Sequence, residues 1–256
     1  MRYIGAAFGI LLLLGISTFF LFQKNTHQDL VLVQETEHGL FYSPAADSET
    51  IQMIHILALE FDAHYTRLAT MFHFETERKL PVHVYPDYEA FRKMIGRDTE
   101  GTYDARDKTI KVYTPVNLEN PNTRKAFTDQ ITHELVHAVI QQINPKVGRT
   151  KWLDEGTAYY AANQFEAELQ SKLMVGSAFL DFPDLEQFQR PDYFNKAGGA
   201  AYFYSGTLIN YILDEYGTDA LNEIIRKPKQ MEKILNTSLE ELYAEWKSRL
   251  QNPDSF

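Results

Sequence analysis

The stretch "ITHELVHAVI" (131–140) sets His133, Glu134 and His137 in the order H-E-x-x-H. On a helix, residues i and i+4 stand one above the other, so His133 and His137 can reach a single ion. Glu134 lies about 100° further around the helix axis. It is badly placed to bind the same ion but well placed to reach a water beside it, as a base must. Two histidines on one face are equally compatible with a hydrogen-bonded core helix, so the reading depends on what surrounds them.

Outward from the motif, the chain reads as strands first and helices later. "DLVLVQETEHGLFYSP" (29–44) alternates around His38-Gly39 and predicts a hairpin. Apolar side chains at Ile51, Ile54, Ala58, Phe61, Tyr65, Leu68 and Phe72 fall at 3-4 spacing. They predict a helix with one buried stripe, capped by Asp47 or Ser48. "LPVHVYP" (80–86) reads as a buried strand, and 87–96 as a short helix stopped by Gly96. "TIKVYTP" (109–115) has the alternation and closing proline of a half-exposed edge strand. Asn120 or Asn122 caps the motif helix, which runs to Ile143. Further helices are predicted over 151–169, over 198–217 with Gly217 as the C-cap, and over "DALNEIIRK" and "SLEELYAEWKSRL". The expected fold is α+β, with a small N-terminal mixed sheet, the H-E-x-x-H helix at the junction and a helical C-terminal half.

Two histidines do not make a tight catalytic metal site, which needs three protein ligands and one open position. "WLDEGTAYY" (152–160) supplies Glu155 at the start of the next predicted helix, after a short loop. An antiparallel helix pair would swing Glu155 back towards the histidines. With no cysteine in the chain, thiolate sites, disulfides and thiol nucleophiles are excluded, and a metal must rely on His, Asp and Glu.

H-E-x-x-H followed by W-L-x-E-G-x-A resembles the gluzincin metallopeptidases, a peptidase MA-like group. The resemblance extends over roughly residues 29–250 and implies a zincin-like domain with one Zn2+ per chain, held by His133, His137 and Glu155. It implies that Glu134 is the general base and proton shuttle. It also implies a tyrosine that stabilises the oxyanion, best matched by Tyr202 in "AYFYSG", with Tyr204 as the alternative. Two features depart from the family. Its thermolysin-like members carry an acidic residue one turn after the ligand Glu, where this chain has Tyr159. Asp154 either supports a histidine in its place or caps the helix. The G-x-M-E-N element of gluzincin aminopeptidases is absent, which favours an endopeptidase. The family also binds an extended peptide along a sheet edge, a role that falls to 109–115 on this reading.

Composition sets the surroundings. Hydrophobic residues make up 44% and charged residues 23% of 256, an ordinary globular balance. The formal charge of -10 argues against nucleic acid as a partner. Residues 4–22, "IGAAFGILLLLGISTFFLF", carry no charge and are long enough to cross a bilayer as a helix. Bulky residues at the would-be cleavage site favour an uncleaved anchor over a cleaved signal peptide. The expected organisation is therefore a membrane anchor over 1–24 and one extracytoplasmic domain over 25–256, secreted if the segment is cleaved. Loss of Arg2 and Lys24 with residues 1–24 takes the formal charge from -10 to -12. The expected function is peptide-bond hydrolysis on a peptide or protein substrate. The alternative is a membrane-anchored binding or sensor module that keeps the fold without turnover.

Overall fold

The computed structural model describes residues 30–76, 78–165, 168, 169, 182–190 and 192–251. The residues of the anchor reading, 4–22, lie outside these, as does His27. No helix among the described residues is long and apolar enough to cross a membrane.

The predicted hairpin forms as β1 (Val31–Glu35) and β2 (Gly39–Ser43), paired antiparallel. α1 (Ser48–Phe72) follows, with the Asp47 carboxylate accepting from the Thr50 N–H as its cap. Its stripe is buried from Met53 and Ile54 through Leu57, Ala58, Phe61, Tyr65 and Leu68 to Phe72. Ile51, read as the first residue of that stripe, is instead 46% exposed; Thr50 before it is buried, and at about 100° per residue Ile51 falls at the margin of the stripe. β3 (Leu80–Tyr85) runs parallel to β2, and α2 (Tyr88–Ile95) ends at Gly96 with φ 76°.

The sheet has the order β1-β2-β3-β5-β4, where β4 is Gly101–Asp104 and β5 is Thr109–Tyr113. This corrects the edge assignment. β5 is parallel to β3 on one side and antiparallel to β4 on the other, so it is interior. The edge is β4, a four-residue strand too short to show alternation. An ion cluster ties its far end to the turn, with Asp104 bonded to both Arg106 and Lys111. These cations hold the Asp104 carboxyl well below the usual carboxylate range, the Arg106 hydrogen bond contributing most.

α3 (Pro121–Ile143) carries the motif and is capped by the Asn120 side chain, which accepts from the Asn122 and Thr123 N–H groups. Residues 131–140 are all buried, so α3 is the central helix, packed on α1 and on α4 (Lys151–Ala161). The predicted helix over 151–169 is interrupted after α4. Asn163 turns left-handed with φ 60°, a conformation that asparagine tolerates better than most residues. Short helices α5 (Leu185–Gln189) and α6 (Tyr193–Ala197) lead into α7 (Gly199–Arg226). Gly217 breaks α7 with φ 81° and ψ 172°, where the sequence places a C-cap. α8 (Met231–Leu235) and α9 (Leu239–Gln251) close the described chain. α5, α6 and α8, one to two turns each, leave no periodic pattern to read. One apolar cluster runs from Phe41 in the sheet to Leu250 in α9, with the motif helix between the sheet and the C-terminal helices.

Candidate metal centre

α3 and α4 bring the three predicted ligands together. His133 Nε2 and His137 Nε2 are 3.2 Å apart. Glu155 Oε2 lies 3.5 Å from the first and 3.3 Å from the second. A tetrahedral ion with bonds of about 2.0–2.1 Å needs ligand atoms about 3.3 Å apart, so these three atoms already stand at three corners of such a site.

The outer hydrogen bonds show why a cation suits this point. His133 Nδ1 lies 2.9 Å from Gln164 Oε1, and His137 Nδ1 lies 2.9 Å from Asp154 Oδ1. Both partners can accept, so each ring can hold a proton on Nδ1 and offer the Nε2 lone pair to a metal. Glu155 adds a carboxylate oxygen to the two lone pairs. A bound cation would take all three as ligands; without one, His137 keeps a proton and pairs with Glu155. Burial pulls His137 towards the neutral form, but Asp154 and Glu155 more than reverse this and hold its pKa well above the ordinary histidine value. Burial raises Glu155, and the two histidines then bring it far below the usual carboxylate range. The buried group His133, His137 and Glu155 can hold a metal ion.

Local packing explains why the W-L-x-E-G stretch is built as it is. Leu153 is fully buried and anchors α4 in the core. A Cβ on Gly156 would lie 2.6 Å from the Ser205 carbonyl oxygen of α7, so glycine lets the two helix backbones touch. That contact seats α4 beside α3 and presents Glu155 to the histidines. Lys151, one turn earlier, holds the other Glu155 oxygen at 3.1 Å. Asp154 makes no cap to α4 and acts on His137, while also accepting from Gln141 at 3.2 Å. Tyr159, at the position where the gluzincin resemblance leads one to expect an acid, donates its hydroxyl to Glu168. Its place on the histidine is taken by Gln164, just past the Asn163 turn. Gln164 is not legible in the sequence, because the interrupted helix that brings it back leaves no mark in the spacing.

Glu134 is buried 5% exposed on the flank of the ligand set. Its Oε1 accepts from Gln130 Nε2 at 3.0 Å, and the Tyr103 backbone of β4 favours its charged form slightly. Burial raises its pKa, against the pull of His137 and His133. β4 crosses directly over this carboxylate. A Cβ on Gly101 would sit 2.5 Å from Gln130 Nε2 and 2.7 Å from Glu134 Oε1. Gln130 and Gly101 are thus further site residues that spacing alone did not single out.

Tyr202, in the first turn of α7, lines the same cleft as the ligands and Glu134, a space of about 380 Å³. Its ring lies 6.4 Å from that of His133. Burial, then the charges of Glu155 and Glu134, raise its hydroxyl pKa to about 12, so it remains a donor at neutral pH. Tyr204 is 4% exposed and packs on Phe182 and Phe203 in the core, away from the cleft. The remaining histidines stand elsewhere: His38 stacks on Tyr65, His64 pairs with Glu60, and His83 meets Tyr42. His55 is exposed, and His73 is the left-handed C-cap of α1.

No protein-family model and no curated protein sequence matches this chain.

Proposed function

We propose that the chain is a zinc-dependent peptidase with a gluzincin-like, zincin-type domain. The observation that carries this reading is the pairing of two features in one cleft. Three potential ligand atoms converge at the spacing of a tetrahedral site, and a separate buried carboxylate, Glu134, is held beside them by Gln130. A structural metal site has no need of that second carboxylate.

Held by His133, His137 and Glu155, zinc supplies Lewis-acid polarisation of the scissile carbonyl and brings water within reach of a carboxylate base. Glu134 takes the proton of the attacking water as the new C–O bond forms. It returns that proton to the amine as the C–N bond breaks. The Tyr202 hydroxyl donates to the developing oxyanion. The substrate lies extended beside β4, the open sheet edge over the cleft, rather than beside β5. The absence of an element that reads a free amino terminus favours internal cleavage. The domain is held outside the cytoplasm by the apolar segment 4–22.

The test uses purified chain, dialysed without chelator. Elemental mass spectrometry should give one zinc per chain, and a quenched peptide library should be cut. Glu134→Gln should keep the zinc and lose cleavage by roughly 10²–10⁴-fold. Zinc-loaded protein that cuts no peptide would replace this reading with the binding-module one. Unchanged cleavage in Glu134→Gln would overturn the role of Glu134.

A further inference from the structure

The cleft carries a cation that the mechanism does not use. Gly96 ends α2 in a left-handed turn, and the chain passes through Arg97 before entering the edge strand β4. Arg97 is exposed and lines the same cleft as His133, Glu134 and Tyr202. Its guanidinium donates through Nη2 to Thr102 Oγ1 at 2.8 Å, which aims the group along the strand. No acidic side chain among the described residues lies in an ion pair with it.

Glu100 lines the same cleft but makes no ion pair with Arg97, and the other nearby acids are engaged elsewhere. Glu155 faces the two histidines and Lys151. Asp154 is bonded to His137 and Gln141. Asp98, its chain neighbour, pairs with Arg92 and accepts from the Tyr88 hydroxyl. The other cleft cation, Lys151, is already matched to Glu155. A chain with a formal charge of -10 thus keeps one unmatched guanidinium at the mouth of its reactive cleft. A guanidinium presents a planar fork of donors that fits a carboxylate in two parallel hydrogen bonds. With one donor committed to Thr102, the rest remain free to face a bound chain.

We infer that Arg97 is a specificity-determining residue that binds a carboxylate of the substrate peptide as it lies along β4. This rests on the peptidase reading of the same cleft and adds the class of substrate. The carboxylate belongs either to an Asp or Glu side chain near the scissile bond or to the substrate's own C-terminus.

The experiment uses the zinc-loaded full chain and matched fluorogenic peptides. Asp or Glu is compared with Asn or Gln at each of three positions on either side of the cut, each peptide made as free acid and as C-terminal amide. An acidic residue at one position should raise kcat/KM on the order of tenfold or more, as expected for a charge-assisted hydrogen bond. Arg97→Ala should erase that preference while cleavage of the neutral amide peptide stays within about twofold. Arg97→Glu should turn the preference towards Lys. A preference for the free acid over the amide, lost in Arg97→Ala, assigns the carboxylate to the substrate terminus. If neutral and acidic peptides are cut equally, the inference about Arg97 fails and the peptidase reading stands. If no peptide is cut, that reading fails, and anisotropy with the same labelled peptides decides the role of Arg97. Tighter binding of acidic peptides that vanishes in Arg97→Ala supports it, and equal binding overturns it.

Discussion

The cleft has a floor and a wall, and they are made differently. The floor is the α3–α4 helix pair, buried, with each ligand side chain held by a second residue. The wall is the four-residue edge strand β4 and the turn before it, whose contributions are a missing side chain at Gly101 and an exposed arginine. The floor sets three lone pairs in place. The wall decides how Glu134 sits and what lies against it. Substitutions in the floor should therefore act on metal binding, and substitutions in the wall on turnover with the metal intact.

The largest effect belongs to Glu155. Glu155→Ala leaves two histidines, which do not make a tight site. Equilibrium dialysis should find the metal gone, a loss beyond the roughly 100-fold that removing an outer partner produces. Retention of one ion per chain would mean that Asp154 or another group substitutes as ligand, and the floor would be less specific than its geometry implies.

Tyr202 tests the boundary between the two regions, because it lines the cleft from α7 and belongs to neither. Tyr202→Phe should lower kcat by about 10²–10³-fold, with KM and metal content nearly unchanged. The ring remains to pack on Phe194 and Tyr159, so a loss of folding would not account for the change. A variant with normal kcat would reduce Tyr202 to a wall of the pocket.

Within the floor, the two histidines should respond unequally. His137 is held by a buried carboxylate that also bonds Gln141, whereas His133 is held by a neutral, half-buried amide. Asp154→Ala should weaken metal affinity by about 100-fold and Gln164→Ala by about tenfold, measured by competition with a chelating dye. Equal losses would show that orientation alone matters and that the charge on Asp154 adds nothing.

The same contrast explains what could be read in advance. His133, Glu134 and His137 were legible because a helix places i and i+4 together whatever else the chain does. Glu155 followed from one short loop between two helices, and Tyr202 from a motif resemblance. Gln164 and Gly101 were not legible. Gln164 reaches His133 only because Asn163 turns left-handed after α4. Gly101 matters only because β4, not β5, is the last strand, and strand order is set by tertiary pairing that no periodicity reports. The edge reading of 109–115 failed for that reason: alternation marks a strand with two unlike faces and says nothing about how many neighbours it has.

Gly101 offers the smallest effect and the sharpest test of the wall. In Gly101→Ala the new methyl would stand 2.5 Å from Gln130 Nε2 and 2.7 Å from Glu134 Oε1. Both are the far ends of flexible side chains, so they can move without shifting either backbone, and the melting temperature should scarcely change. Neither group binds the metal, so metal stoichiometry should hold. What moves is the carboxylate that meets the water in the proposed mechanism, and displacements of about an ångström in a reacting group can cost up to roughly 100-fold. Because Gln130 can yield first, kcat should fall by about tenfold, and Gly101→Val should lose more. Reduced metal content in Gly101→Ala would tie the wall to the floor and end the separation between them. Full activity would mean that Glu134 finds the water from more than one position, and that β4 positions the substrate alone.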